Sequence, residues 1–210
     1  MVVFGAGASY DSVPHYPPRV FAEDDLPERL PLANQLFDNR SQFVSAMRRY
    51  PECRPVVPWL RELADGVSLE SELQRLQEEA SETPERHRQL AAIGFYLHEM
   101  LWGCEVGWLK RSDGVTNHKT LLDQIRHYHR RLGGVCLVTF NYDRMIEDAL
   151  SSVGVAITDD LASYIASDFP LIKLHGSVDG GVRLSPRSIL LTMPTTPSGP
   201  FQMSSHMRPS

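Results

Sequence analysis

Three short apolar runs along the chain are typical of strands buried on both faces of a parallel sheet. They cover residues 1–4, 135–140 and 171–174, and each contains β-branched side chains. Each run stops at glycine or polar residues and does not alternate with polar positions. Residues 155–157 and 188–192 predict two further strands. The pattern therefore predicts an α/β fold, with a Rossmann-like open parallel sheet.

The middle of the chain shows a helical pattern. Ser68 is a candidate cap before leucines at three- and four-residue spacing, and Thr83-Pro84 combines a cap with a proline suited to a first turn. A third apolar stripe runs over residues 118–132. Its predicted inward side chains are Leu121, Leu122, Ile125 and Tyr128. We expect a helical insertion at about residues 30–132, between the first strand and the later strands.

A short helix is predicted directly after residue 143. Its predicted inward side chains are Met145, Ile146, Ala149 and Leu150. With this helix and the strands around it, we expect residues 1–185 to form one α/β domain. The Pro-, Ser- and Met-rich residues 186–210 are typical of a disordered tail or of a truncated domain end.

Composition narrows the classes of function. The formal net charge of −5 and the lack of a dense Lys/Arg stretch argue against nucleic-acid binding. No apolar run approaches the roughly 20 residues that span a bilayer, so we expect no membrane association. Three scattered cysteines form neither a disulfide framework nor a zinc ribbon. We therefore expect a cytoplasmic protein with no metal and no zinc.

Polar clusters follow the three main apolar runs directly. They are Gly-Ala-Gly-Ala-Ser at 5–9, Thr-Phe-Asn-Tyr-Asp at 139–143 and His-Gly at 175–176. Ligands of open α/β sheets bind beyond the carboxyl ends of the strands, so we expect the clusters to converge. Glycines let backbone N–H groups approach a diphosphate closely. An amide such as that of Asn141 can hold ribose hydroxyls or a water, and His175 suits a proton acceptor near neutral pH.

Each cluster taken alone also has a structural interpretation. A Gly-x-Gly after a strand is often a tight turn, and Tyr10 occupies the third glycine position of the dehydrogenase fingerprint. For Asp143 alone, capping of the following helix explains the residue at least as well as ligand binding. A lone histidine at a strand end is more often structural than catalytic.

The three segments together resemble the NAD-site motifs of sirtuin-like domains. In order and spacing, the matching strings are Gly-Ala-Gly-Ala-Ser (5–9), Thr-Phe-Asn-Tyr-Asp (139–143) and Lys-Leu-His-Gly-Ser (173–177). The similarity is closest to the bacterial branch, which includes NAD-hydrolysing anti-phage defence proteins. With the helical insertion, the resemblance covers roughly residues 1–180.

The resemblance implies a role for each matching position. The expected catalytic residues are Asn141, which would hold the nicotinamide ribose or the attacking water, and His175, which would accept a proton. Asp143 would meet the carboxamide or brace its loop. The other expected NAD-binding residues, of which the first five would cradle the diphosphate and nearby ribose, are Gly5, Ala6, Gly7, Ala8, Ser9, Thr139 and Gly176.

Departures from the family pattern argue against protein deacetylation. The chain lacks the four-cysteine zinc module and the Gly-x-Pro-Asp-Phe-Arg stretch of deacetylating sirtuins. We therefore expect an NAD glycohydrolase that uses NAD as its substrate and acts in anti-phage defence by NAD depletion. The resemblance further implies a partner sensor protein or domain and a homo-oligomer. A non-catalytic module that binds NAD or ADP-ribose is the main alternative, and a Rossmann-type oxidoreductase is a weaker one.

Overall fold

A small parallel sheet pairs the first residues of the chain with two strands from its carboxyl-terminal part. The computed structural model describes residues 1–20, 26–63, 67–80, 83–129, 134–158, 160–165 and 168–175. Within these ranges the strands lie in the order β1-β2-β3 and are all parallel. They are β1 (Val2–Phe4), β2 (Leu137–Thr139) and β3 (Leu171–Lys173). Phe4 lies opposite Thr139, which lies opposite Lys173, so the three carboxyl ends are level.

Helices make up most of the described chain and confirm an α/β fold that is compatible with a Rossmann-like arrangement. They are α1 (Ala6–Tyr10), α2 (Ser41–Arg49), α3 (Val57–Arg61), α4 (Leu69–Ala80), α5 (Pro84–Arg111), α6 (Asn117–His129), α7 (Met145–Ser152) and α8 (Leu161–Ile165). Short 3₁₀ turns cover Ala33–Gln35 and Pro51–Cys53.

The starts of α4 and α5 lie where the sequence predicts them, although the side chain of Thr83, before α5, makes no capping hydrogen bond. The hydroxyl of Ser68 accepts a hydrogen bond from the N–H of Ser71 at 3.1 Å, which satisfies one free donor of the first turn of α4. Helix α5 begins at Pro84, where a missing N–H has no cost. Its apolar side chains pack against α2 and α4 in a helical core that contains Tyr96 and Trp108, both fully buried.

A second core lies under the sheet. Leu137 and Leu171, which are fully buried in neighbouring strands, pack there against Leu122 of α6. All four side chains predicted to face inward from α7 are buried. Met145 packs in the helical core, whereas the other three pack under the sheet. Helix α7 therefore joins the two cores.

Two expectations from the sequence are wrong. Residues 155–157 form no strand, because the N–H groups of Gly154 and Val155 bond back to carbonyls at the end of α7. Gly154 has φ of +81°, which is typical of a helix C-terminal cap. Tyr128 is 75% exposed, since the buried face of α6 is centred on His118 and Leu122 and Tyr128 falls at its border.

Several other expectations lie outside the described residues. These are the strand at 188–192, the end of the third helical stripe at 130–132, Gly176 and the tail at 186–210. Among the described helices, none is long and apolar enough to cross a membrane.

Candidate functional site

The structure brings the three polar clusters together at one edge of the sheet. Because the strands are parallel and in register, the residues that follow β1, β2 and β3 emerge side by side. Ala6, Asn141 and His175, one from each cluster, line the same cleft. The expected convergence beyond the carboxyl ends of the strands is confirmed.

Asn141 ties the first two clusters to each other. Its Nδ2 donates hydrogen bonds to the carbonyl oxygen of Gly5 at 3.0 Å and to the hydroxyl oxygen of Ser9 at 2.8 Å. Its own backbone N–H donates to Oγ1 of Thr139 at 3.0 Å. A carbonyl can only accept, so the contact with Gly5 fixes which end of the amide carries the nitrogen.

The other end of this amide is an unused acceptor. Asn141 is 6% exposed, and its Oδ1 is buried with no hydrogen-bond partner among the residues that the structure describes. A buried acceptor left unpaired costs free energy, in the range of about 1–3 kcal/mol. Since Asn141 forms part of the cleft wall, a ligand hydroxyl or a water is the natural donor for this oxygen.

The glycine turn borders open space. Gly5 has an extended backbone that any residue can adopt, with φ of −116°, so the turn itself does not require glycine. A Cβ atom at Gly5 or Gly7 would meet no atom within 4 Å. The N–H of Ala8, in the first turn of α1, donates to the Gly5 carbonyl at 2.9 Å. The turn thus leaves room for a ligand beside the start of α1.

The five residues of the turn do not all face this space. Gly5 and Gly7 are exposed and Ala6 lines the cleft, whereas Ala8 packs against the sheet core. Ser9 is 1% exposed, and its hydroxyl is engaged with Asn141. Thr139 is equally buried. In this structure Ser9 and Thr139 therefore position Asn141 and do not border the cleft.

Asp143 contacts the start of the following helix, which is one of the two roles that the sequence left open, whereas ligand binding stays a prediction. Its carboxylate accepts a hydrogen bond from the N–H of Met145 at 3.1 Å, so it caps the start of α7. The residue also lines the cleft. Below it, the buried ammonium of Lys173 donates to the Asp143 carbonyl and to Glu147 at 2.8 Å. Lys173 thus fastens β3 to the start of α7.

His175 lies among aromatic rings at the end of β3. Its ring centroid is 5.6 Å from that of Phe140 and 5.9 Å from that of Tyr142. The pKa of Tyr142 is raised, mainly by burial and further by the negative charge of Glu70. Because all four residues line the cleft, the charge of Glu70 acts within the space that faces His175.

The cleft has a free volume of about 150 Å³ and two unlike walls. We call the first the strand-end wall; it consists of Ala6, Phe140, Asn141, Tyr142, Asp143 and His175. We call the second the helical wall; it consists of Leu30, Pro31, Ala33, Leu36, Glu70 and Leu101. The helical wall is apolar except for the single carboxylate.

A hydrogen bond from Glu105 connects α5 to the segment between β2 and α7, which contributes to the strand-end wall. Its carboxylate, 4% exposed in the fold, accepts a hydrogen bond from the N–H of Arg144 at 2.9 Å. The pKa of Glu105 is raised to about 7, mainly by burial. The hydrogen bond from the Arg144 N–H lowers it, and the charges of Asp143 and Glu147 contribute to the rise. Sequence inspection missed this residue because its spacing on α5 matches the core stripe.

His118 is a second buried ionisable group that the sequence did not single out. It is 3% exposed, and its ring centroid lies 5.5 Å from that of Phe4 at the end of β1. Neither ring nitrogen has a hydrogen-bond partner among the described residues. Burial lowers its pKa, against the charge of Asp143. His118 therefore packs as an aromatic side chain against Phe4.

The cysteines and other metal-ligating side chains form no evident centre. Within the described ranges, no group of three or more His, Cys, Asp or Glu side chains is arranged to hold a metal ion. The three cysteines carry free thiols. Burial raises the pKa of the Cys104 thiol to about 12, which makes it an inert core residue.

Comparisons with protein-family models, with curated proteins and with solved structures found no match to this chain. The geometry of the cleft and the sequence motifs are therefore the basis for any functional conclusion.

Proposed function

We propose that this chain is an NAD glycohydrolase, which cleaves the nicotinamide–ribose bond of NAD to give nicotinamide and ADP-ribose or a cyclic product. The finer fold that goes with this proposal is a Rossmann-like sheet with a helical insertion at about residues 30–132. The observation that carries the proposal is the buried, unpaired Oδ1 of Asn141 in the wall of a cleft that also contains His175.

Asn141 suits a residue that orients a hydroxyl group. Its amide is held by Gly5 and Ser9, so Oδ1 has a fixed direction and loses little entropy when it accepts a hydrogen bond. Asn141 lines the same cleft as Ala6 of the glycine turn and His175, so a ribose hydroxyl or a water bound by Asn141 would share the cleft with both. That arrangement supports the catalytic role of Asn141 that the sequence resemblance implies.

His175 suits a proton acceptor in the same reaction. When the C1′–N bond of NAD breaks, its electron pair leaves with nicotinamide and the ribose becomes an oxocarbenium-like cation. A water oxygen, or a nucleophile within the substrate, then bonds to C1′ and loses a proton, which His175 would take. The half-buried imidazole next to Phe140 and Tyr142 supports this role.

The glycine turn suits the diphosphate of NAD. The exposed Gly5 and Gly7 leave open space beside the first N–H groups of α1, and such donors bind phosphate oxygens well. Ser9 would act through Asn141 as a positioning residue, because its hydroxyl already accepts a hydrogen bond from that amide.

The biological setting of the proposal rests on the resemblance alone. It comprises anti-phage defence by NAD depletion in the cytoplasm, a partner sensor protein or domain, and a homo-oligomeric active form. A non-catalytic module that binds NAD or ADP-ribose is the alternative, and turnover separates it from a glycohydrolase.

The direct test follows nicotinamide release from NAD by chromatography. The wild type is compared with Asn141→Ala and His175→Ala, and His127→Ala serves as a matched control because His127 is exposed on α6. We expect release by the wild type and the control, and a loss of at least about hundredfold in both site variants. NAD binding without any release would favour the non-catalytic module, and release that survives both site substitutions would refute the site.

A further inference from the structure

Glu70 is the one charged residue of the helical wall. It lies in the first turn of α4, directly after the Ser68 cap, and it is half-buried. No hydrogen bond or ion pair engages its carboxylate within the described part of the chain. By contrast, the carboxylates of Glu72 and Glu79, further along α4, both form ion pairs with Arg75.

The charges that line the cleft are all negative. Glu70 faces it from the helical wall and Asp143 from the strand-end wall, and no Lys or Arg is among the described lining residues. Lys173, a buried cation that bonds to the Asp143 carbonyl, is paired with Glu147. A cleft with apolar walls strengthens the field of these carboxylates, because little water screens them.

Aromatic rings add a second preference for positive charge. Phe140 and Tyr142 line the cleft, with ring centroids 5.6 and 5.9 Å from that of His175. The faces of such rings attract cations, and a flat aromatic cation gains apolar contact as well. Burial and the charge of Glu70 together raise the pKa of Tyr142, so the field of Glu70 reaches the strand-end wall.

An independent feature points to a ligand in the same space. The Oδ1 of Asn141 is a buried acceptor with no partner among the described residues, and Asn141 lines this cleft. A ligand that fits all these groups carries a hydroxyl for Asn141 and a positively charged aromatic ring for Glu70, Phe140 and Tyr142. An N-ribosylated pyridinium has both.

We propose that Glu70 is a specificity-determining residue that selects the cationic, oxidised nicotinamide ring over the neutral, reduced ring. This inference rests on the proposed function and names the substrate form that the cleft accepts. The helical wall supplies the selection, and the strand-end wall supplies the chemistry.

The same charge favours product release. Bond cleavage removes the positive charge from the pyridinium ring, because the ring nitrogen keeps the bonding electron pair. Nicotinamide leaves as a neutral molecule that Glu70 no longer attracts. Glu70 therefore acts mainly on substrate binding, and its loss raises KM more than it lowers kcat.

The test measures binding of a non-hydrolysable carbocyclic analogue of NAD, in its oxidised and reduced forms, by calorimetry on the full chain. We expect the wild type to prefer the oxidised form by about tenfold. Glu70→Gln should reduce this preference to about threefold or less, whereas Glu70→Asp, which keeps the charge, should retain most of it. Glu78→Gln is the matched control, since Glu78 lies two turns further along α4 and is exposed.

The outcomes separate this inference from the proposed function. If the wild type has no preference, or if Glu70→Gln keeps it, the inference is overturned while nicotinamide release can still support the glycohydrolase. If the wild type binds neither form and releases no nicotinamide, both are overturned. Thermal unfolding of each variant checks that the fold is intact, and Glu70→Asp keeps the test decisive if Glu70→Gln does not fold.

Discussion

The two walls of the cleft are built in different ways. The strand-end wall comes mainly from residues that directly follow β1, β2 and β3, and hydrogen bonds hold its key amide on both sides. The helical wall comes from the loop before α2 and from single positions on α4 and α5. It is apolar apart from Glu70, which has no hydrogen-bond partner within the described ranges.

The difference between the two walls suits a site in which one wall carries the reaction and the other selects the substrate. Rigid groups at strand ends suit a reaction that requires fixed directions, because backbone register sets their spacing. Side chains of the helical wall suit selection of the substrate, because they can be replaced by side chains of other shape or charge without disturbing the sheet. Glu105 connects the two, since it belongs to α5 and bonds to the N–H of Arg144.

The largest effect should come from Asn141→Asp. A carboxylate oxygen would replace Nδ2 beside the carbonyl oxygen of Gly5, so two acceptors would face each other and that hydrogen bond would be lost. The Ser9 hydroxyl, which now accepts from Nδ2, would have to rotate and donate instead. We expect turnover to fall about a thousandfold and the free energy of unfolding to fall by about 2–3 kcal/mol. Nicotinamide release and urea unfolding measure the two effects.

Gln77→Glu is the control for that substitution. It also converts an amide to a carboxylate, but on the exposed face of α4. Wild-type turnover in Asn141→Asp would mean that the amide orientation has no part in the reaction.

The second-largest effect should be the contribution of Glu105, which connects the two walls, to the pH dependence of stability. The pKa of Glu105 is about 7 in the folded protein, against an ordinary value of 4.5. Between these values the folded chain keeps a proton that the unfolded chain loses, so stability falls as pH rises through this window. We expect Glu105 to account for a loss of about 2 kcal/mol between pH 5 and pH 8.

Glu105→Gln should remove this part of the pH dependence. Urea unfolding of the wild type and the variant at pH 5, 6.5 and 8 measures it, and the comparison uses the slope with pH rather than the absolute stability. Parallel curves for the two proteins would contradict the assignment.

The smallest effect should come from Ser68→Ala. Loss of the hydroxyl that caps the first turn of α4 should cost about 1 kcal/mol of unfolding free energy. Because Glu70 lies in that turn, we also expect a modest rise in KM for NAD with kcat unchanged. Ser45→Ala, at an exposed position within α2, should change neither quantity. An equal loss of stability in both variants would rule out a specific capping effect.

The sequence predicted the candidate site best where its residues directly follow the ends of strands. The ends of β1, β2 and β3 are marked by apolar runs that stop at polar residues, so their convergence followed from parallel pairing alone. The α7 stripe and the Ser68 and Pro84 helix starts are also local signals, and all three predictions are confirmed. The false strand at 155–157 arose because a short apolar run does not reveal a helix cap at Gly154.

The helical wall could not be predicted in the same way. Leu30, Glu70 and Leu101 lie far apart in the chain, and only tertiary packing brings them to one cleft. Glu70 looks like an ordinary acidic residue in a first helical turn, which is a common position for one. Likewise, nothing near Glu105 in the sequence indicates that its carboxylate bonds to the N–H of Arg144, 39 residues further along the chain.

The central claim is that the strand-end wall performs the reaction and the helical wall selects the substrate. Steady-state kinetics of NAD cleavage, with one substitution on each wall, tests it most directly. The account predicts that His175→Ala lowers kcat at least about hundredfold, whereas Glu70→Gln raises KM about tenfold and leaves kcat within about threefold of wild type. A Glu70→Gln variant that loses kcat as severely as His175→Ala, or a His175→Ala variant that keeps it, would contradict the claim.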